Sequence, residues 1–268
     1  QENEARLRRH GYCFVDAESG SLACGWEGSG RLAQPERIFD EACALLAGSD
    51  LAGETVLVTA GPTREELDPV RYISNHSSGK MGYALAQAAR HRGAKVILVS
   101  GPTCLAPPPE VELVPVESAL QMHGAVMARV SDCSVVIKAA AVADYRPVLR
   151  SGEKMKKSGE ALTLELEKNP DILAELGQLE QRPLLVGFAA ETTELQTHAA
   201  AKLAAKNLDM IVANDVSQEG AGFNVATNIA RLLYRDGRVE SLELMTKTRL
   251  AELILDRVGQ LLQDKRSA

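Results

Sequence analysis

The chain has 268 residues and a formal net charge of −6, a balance that argues against a basic protein that coats nucleic acid. Hydrophobic residues make up 45% and charged residues 25%, so a sizeable core forms without disulfides or metals, and no apolar run is long enough for a membrane span. Cys13, Cys24, Cys43, Cys104 and Cys133 contain no CxxC pair, and the first residues lack a charged-then-apolar signal pattern, so free thiols and a cytoplasmic location are expected.

Residues 1–48 read apart from the rest. Gln1–His10 is polar, Tyr12–Val15 fits one short strand, and Leu22–Arg31 is a glycine-rich loop. Pro35–Leu46 has helical spacing, with Ile38, Phe39, Ala42, Cys43 and Leu46 on one face. Asp50–Gly53 reads as a linker. From residue 54 onward strands and helices alternate. Val56–Ala60 predicts a buried strand, Gly61–Ser78 a long polar loop, and Gly79–Arg92 a helix with Ala84, Leu85, Ala88 and Ala89 inward. Lys95–Ser100 is a second strand, Ala119–Val130 a helix and Cys133–Lys138 a third strand. Leu184–Ala189, a helix near Glu194–Lys206 and Met210–Ala213 continue the alternation. Ile229–Tyr234 and Val239–Leu244 predict a hairpin around Asp236-Gly237, and Arg249–Leu262 a closing amphipathic helix. Buried strands separated by helices imply an α/β fold, a mostly parallel sheet with helices on both faces. Ligands of such sheets bind beyond the carboxyl ends of the strands, so the loops after Ala60, Lys138, Ala189 and Ala213 are the candidates.

The loop after Ala60 is long, and long ordered loops are usually functional. Its end, Ser77-Ser78-Gly79, opens a helix whose N–H groups and dipole favour an anion; helix capping by Ser77 or Ser78 is the plainer reading. Neither a P-loop nor the GxGxxG dinucleotide fingerprint is present. In Ala139–Arg146, small residues permit close approach of a ligand, and Asp144 suits a metal or a sugar hydroxyl, or else a surface turn. Glu153–Lys157 is a basic cluster that either neutralises phosphates or is a solvated loop. Lys168–Ile172 predicts a helix start with Pro170 at the first helical position. Phe188 suits either covering a base or the core. Lys202 and Lys206, four apart, share one helix face.

These segments together resemble the ligase half of the bacterial bifunctional phosphopantothenoylcysteine decarboxylase/phosphopantothenate–cysteine ligase. The resemblance is carried by Asp68–Gly79, Ala140–Arg146, Lys154–Lys157, Lys168–Asp171, Val186–Thr192 and Ala213–Val216, in the family's order over roughly 54–262. Leu22–Arg31 is similar to the last loop of the decarboxylase half, and Cys24 matches that half's catalytic cysteine; a small packing residue is the plainer reading of such a thiol. The resemblance implies that residues 1–48 are the C-terminal remnant of a flavin decarboxylase domain plus linker, and that 49–268 is the ligase domain in a Rossmann-like fold.

It further implies a CTP-dependent joining of 4'-phosphopantothenate to cysteine, through an acyl-cytidylate, on the way to coenzyme A. Lys154 then corresponds to the lysine needed to form that intermediate, and Asn75 to the side chain that holds it. Arg71 matches a position tied to the second step or to phosphopantothenate. Ser77, Ser78, Gly79, Ala140, Asn169, Pro170, Asp171 and Ile172 are implied to bind nucleotide; Asp144, Phe188, Lys202 and Lys206 are implied CTP contacts, with Asp144 near Mg²⁺. FMN belongs only to the decarboxylase domain. A homodimer is implied, with higher assembly in the full-length protein, and neither nucleic acid nor membrane is an expected partner. An NAD(P)-dependent reductase and a nonenzymatic nucleotide-binding protein are the alternatives.

Overall fold

The computed structural model describes residues 2–21, 25–156, 159, 161–191, 195–215, 222 and 224–267. They divide into two compact units, 1–49 and 50–268. The first holds helix α1 (Glu2–Arg9), strands β1 (Glu18–Ser21) and β2 (Glu27–Arg31), and helix α2 (Pro35–Ala47). The expected strand at Tyr12–Val15 is not formed. Instead β1 pairs antiparallel with β2, which occupies the glycine-rich stretch. Main-chain hydrogen bonding holds this ribbon, and its Glu, Ser and Gly residues carry no apolar alternation to advertise it. Cys24 lies outside the described residues. Pro35 opens α2 as expected, but Phe39 and Leu46 on its apolar face are exposed.

The second unit runs β3 (Thr55–Ala60), β4 (Arg64–Glu66), β5 (Tyr72–Ser74), α3 (Lys80–His91), β6 (Lys95–Ser100), β7 (Glu112–Pro115) and α4 (Ala119–Met127). After one 3₁₀ turn at Val130–Asp132 come β8 (Val135–Lys138), β9 (Tyr145–Pro147), β10 (Leu166–Lys168), α5 (Ile172–Gly177), β11 (Leu184–Glu191), α6 (Leu195–Ala205), β12 (Met210–Asp215), β13 (Thr227–Tyr234), β14 (Val239–Thr246) and α7 (Lys247–Ser267). Among the described residues, eight strands form one sheet in the order β14-β13-β12-β11-β8-β3-β6-β7. The six strands from β12 to β7 are parallel, and β13 and β14 extend them as an antiparallel hairpin. Counted along the chain, the parallel strands stand in the order 3-2-1-4-5-6, the doubly wound arrangement with its switch point between β3 and β8. The expected α/β, Rossmann-like sheet is therefore borne out.

Helices cover both faces, and the strands are apolar on both sides for that reason. Val56, Val58, Ala60, Ile137 and Val186 pack against α3 and α7 through Leu85, Ala89, Leu250 and Ile254. Leu57, Val136 and Leu185 point the other way, onto Met122 of α4, Leu176 of α5 and Leu203 of α6. Each of these Val, Leu, Ile and Met side chains, when fully buried, contributes about 1.5–3 kcal/mol.

Three expectations are corrected within this unit. Asp50–Gly53 is no loose linker: Leu51 is fully buried and its N–H donates to the Arg92 carbonyl at 3.1 Å. The polar loop 61–78 contains the small β4–β5 hairpin, and β7 and the β9–β10 hairpin add strands that short, charged sequences do not announce. Helix α5 begins at Ile172, with the Asp171 carboxylate capping the Ala174 N–H at 3.2 Å, so Pro170 precedes the helix.

Candidate functional site

The site is built where β3 and β8 end. Their loops continue to pair beyond the sheet: the Ala141 N–H donates to the Gly61 carbonyl at 2.9 Å, and Pro62 bridges Ala141 in parallel fashion. Two buried threonines lock the same contact. Thr59 Oγ1 accepts from the Ala140 N–H at 3.2 Å, and Thr63 Oγ1 accepts from the Ala143 N–H at 3.0 Å. Asn75 Nδ2 then donates to the Val142 carbonyl at 3.0 Å. Asn75 and the Ala140–Ala143 backbone, distant in sequence, thus form one wall.

Asp68 anchors the rest of the first loop. Its carboxylate is 1% exposed and accepts from the N–H groups of Val70 and Arg71, from the Arg71 guanidinium at 2.6 and 2.9 Å, and from the Met155 N–H at 3.2 Å. Burial alone would raise its pKa, but the Arg71 and backbone hydrogen bonds outweigh it and hold the group well below the usual carboxylate range. Arg71 also donates to the Met155 carbonyl at 2.7 Å, so it fixes the segment that carries Lys154.

Helix α3 starts tightly against β3. A Cβ on Gly82 would lie 2.5 Å from the Ala60 Cβ, so only glycine permits this approach. Gly79 is the N-cap in the left-handed region, with φ 76°, and no side chain caps the helix. The capping reading of Ser77 and Ser78 is thereby corrected: Ser77 Oγ accepts from the N–H of Gly79, the N-cap itself, at 3.3 Å, and both serines line a cavity.

Two cavities flank the carboxyl edge of the sheet. One, of about 370 Å³, lies towards α3 and α7 and gathers Asn75, Ser77, Ser78, Gly79, Ala140 and Phe188. The other, of about 470 Å³, gathers Asp144, Asn169, Pro170, Asp171, Ile172 and Lys206. Asn169 is held by donation to the Ala143 carbonyl at 2.8 Å and by Arg146 at 3.1 Å. Lys206 pairs with Asp171 at 2.8 Å. Ile172 is a core residue, 1% exposed. Arg71, Lys154 and Lys202 line neither cavity; Lys154 and Lys202 are exposed.

Lys138 was not among the sequence candidates, yet it lines both cavities at the end of β8. Burial first, and then the like charge of Lys206, bring its pKa down to about 8. A lysine closing the apolar run Val135-Val136-Ile137 was the signal available in the sequence. The first cavity also contains Lys80 and Lys247, both at first helical positions. Among the described residues, no group of three or more His, Cys, Asp or Glu stands ready to hold a metal, and no helix is long and apolar enough to cross a membrane.

Residues 51–262 match the profile of the DNA/pantothenate metabolism flavoprotein C-terminal domain. The coenzyme A biosynthesis bifunctional protein CoaBC of Bacillus subtilis is 47% identical over 265 residues, which cover 97% of this chain and 65% of that protein. The CoaBC of Vibrio cholerae is 49% identical over 258 residues, covering 95% and 64%. The chain thus spans about 65% of the length of these curated relatives. A crystal structure of the C-terminal domain of CoaBC superposes with a TM-score of 0.70 at 47% identity, covering 81% of this chain and 99% of that one. The resemblance carried by the ordered motifs is borne out, and the chain belongs to the DNA/pantothenate metabolism flavoprotein C-terminal domain family.

Proposed function

We propose that this chain joins 4'-phosphopantothenate to cysteine with CTP, as a step of coenzyme A biosynthesis in the cytoplasm. The observation that carries this reading is the locking of the Asn75 loop onto the Ala140–Ala143 backbone at the switch point, beside a cavity rich in lysine. Family membership and the CoaBC relatives support it.

In the first step the phosphopantothenate carboxylate attacks the α-phosphorus of CTP, and pyrophosphate leaves. In the second the cysteine amine attacks the acyl carbon of the acyl-cytidylate, and CMP leaves. Preorganised cations serve the first step, because negative charge gathers on the phosphoryl oxygens as the anhydride forms. Lys138, Lys206 and, beside the tethered Met155, Lys154 are the cations assigned to this work. Asn75 holds the acyl-cytidylate through its amide, and Arg71 keeps the Asn75 loop and the Lys154 segment in register. Phe188 offers an aromatic face to the base. Ser77, Ser78 and Gly79 offer hydroxyl and N–H donors at the start of α3 to phosphate.

A Mg²⁺ ion suits this donor set. Mg²⁺ is held mainly by substrate phosphates and water with one or two carboxylates, and Asp144 is an exposed carboxylate at the second cavity. Bound there, the ion supplies neutralisation of polyphosphate charge. Residues 1–48 are assigned to the end of a flavin-dependent decarboxylase domain with Cys24 as its cysteine, and decarboxylation with FMN to the longer protein. A homodimer is proposed for the ligase.

The test is pyrophosphate release from CTP with phosphopantothenate and Mg²⁺, with and without cysteine, and with ATP for comparison. Release that requires phosphopantothenate and becomes steady turnover with cysteine is expected. Binding of CTP with no release under any combination would instead support a nucleotide-binding protein without ligase activity.

A further inference from the structure

The loop that follows β6 lies outside the candidate loops of the sequence, yet it backs both ends of the long loop after β3. A Cβ on Gly101 would lie 1.7 Å from the Pro62 carbonyl oxygen, so the two backbones touch with no room for a side chain. Two residues on, the Thr103 methyl fills the same seam. A Cβ on Gly61 would come within 2.9 Å of Thr103 Cγ2, and one on Gly79 within 2.6 Å. Gly61 opens the loop and accepts from the Ala141 N–H; Gly79 closes it as the N-cap of α3 and lines the cavity towards α7. One methyl group thus sits at the neck where the loop begins and ends. Its direction is set by a chain of hydroxyls. The Leu105 N–H donates to Thr103 Oγ1 at 3.4 Å, and Thr103 donates to Tyr83 Oη at 3.1 Å. Tyr83 donates to Ser100 Oγ at 3.2 Å, and Ser100 to the Gly101 carbonyl at 2.8 Å. Each hydroxyl gives one of these bonds and accepts one, so the chain runs in a single direction. Tyr83 and Ser100 are buried, and neither they nor Thr103 line either cavity. A Thr103 hydroxyl pinned toward Tyr83 leaves the methyl facing the glycines, because χ1 places both groups on Cβ at once.

We propose that Thr103 is a positioning residue, a wedge that holds the Gly61 and Gly79 turns in register, and that Tyr83 acts through it by fixing its rotamer. The proposal rests on the ligase reading for the identity of the nucleotide, while the packing of the wedge is independent of it. Glycine backbone is conformationally permissive, so the placement of the Ser77–Gly79 turn depends on what is packed behind it. The wall at Asn75 is locked separately, by Thr59 and Thr63. Loss of the wedge is therefore felt in the binding of CTP more than in the chemical steps.

Titration calorimetry with CTP and steady-state pyrophosphate release, both on the whole chain, compare the wild type with Thr103→Ser, Thr103→Val, Tyr83→Phe and the double variant Tyr83→Phe/Thr103→Val. Thr103→Ser keeps the hydroxyl chain and removes the methyl. It is expected to weaken CTP binding and raise the KM for CTP by about 10-fold, with kcat within about threefold. Thr103→Val keeps a methyl against the glycines without the chain, and is expected to stay within about twofold of the wild type. Tyr83→Phe is expected to weaken CTP by about three- to tenfold beside Thr103 and to have no effect beside valine, since the tyrosine hydroxyl works through the threonine hydroxyl. Unchanged CTP affinity in folded Thr103→Ser overturns the proposal, and so does a Thr103→Val variant as damaged as Thr103→Ser. Urea unfolding separates a purely structural role: variants that lose stability but keep wild-type affinity and KM also overturn it. Tyr83→Phe, which leaves the ring in the core, carries the test if Thr103→Ser does not fold. Wild-type binding of CTP without pyrophosphate release removes the ligase reading, and the affinity comparison still decides the wedge. Wild-type release with an unchanged KM in Thr103→Ser removes the wedge and preserves the ligase.

Discussion

Lys138 concentrates two opposing demands in one side chain. Its folded pKa of about 8 lies below that of an exposed lysine, so the folded state sheds the proton first. Between about pH 8 and the unfolded value near 10.4 the unfolded chain binds more protons, and stability rises with pH. Below that window the desolvated charge weighs fully against folding. Lys138→Met is therefore expected to stabilise the protein at pH 7, by on the order of 1–3 kcal/mol, in urea unfolding. The same variant is expected to lower kcat/KM by about 10–100-fold, since a charge-assisted contact to phosphate is lost. A bound anion favours the ammonium, so ligand binding near pH 8 should take up protons, visible as a buffer-dependent calorimetric enthalpy. No proton uptake and no stabilisation would remove Lys138 from the site. Asn75 plays a different part. Its amide donates to the Val142 carbonyl, and an Asp at this position would set a carboxylate against that oxygen. Asn75→Asp is expected to allow pyrophosphate release but block cysteine addition, with acyl-cytidylate accumulating in the mass spectrum. Normal turnover with no trapped intermediate contradicts this role.

Among the elements, α3 has little tolerance at its contact with β3. It rests on β3 through Gly82, and its start at Gly79 sets the N–H groups that face the cavity. A methyl at position 82 must displace either the helix or Ala60. Gly82→Ala is expected to cost about 1–3 kcal/mol, the range for overpacking a close contact, despite alanine's better helix propensity. It should also weaken CTP binding, because the helix start moves with the helix. A stabilised variant with wild-type affinity would mean that the close approach is incidental. The β4–β5 hairpin has the complementary property. Its exposed residues do little for the core, yet Asp68 and Arg71 between its strands hold the Met155 backbone and so couple two loops far apart in sequence.

At the scale of the whole second unit, the proposed site and a buried ion-pair network lie at opposite edges of the sheet. At the amino edge Arg92 is 7% exposed and pairs with Asp50 and with Asp256, the latter at 2.8 Å, which joins the end of α3 to the first residues of the unit and to α7. Because both aspartates are half-exposed, their charges regain water when Arg92 is lost. Arg92→Met is expected to lower stability by about 1–3 kcal/mol, read as a lower urea midpoint with an unchanged m-value, while CTP affinity stays within error. A loss of affinity without a loss of stability would show the two edges to be coupled differently.

Local pattern was sufficient for β3, β6, β8 and the terminal helix, because strands buried on both faces and one-sided helices leave continuous or periodic apolar signatures. It placed the Asn75 loop and the Ala140–Arg146 segment among the candidate loops but left helix capping and a surface turn open beside a binding role. The small hairpins escaped notice because their strands are three to five residues long and are held by main-chain bonds that no side-chain pattern encodes. What only the tertiary structure decided was which loops meet. The 3-2-1-4-5-6 strand order brings the ends of β3 and β8 together across some eighty residues, and there buried Thr59 and Thr63 lock the loops and Lys138 gains its depressed pKa. Lys80 and Lys247 share a cavity for the same reason: two helix starts, remote in the chain, converge at one edge of the sheet, and charge acts through space rather than along sequence.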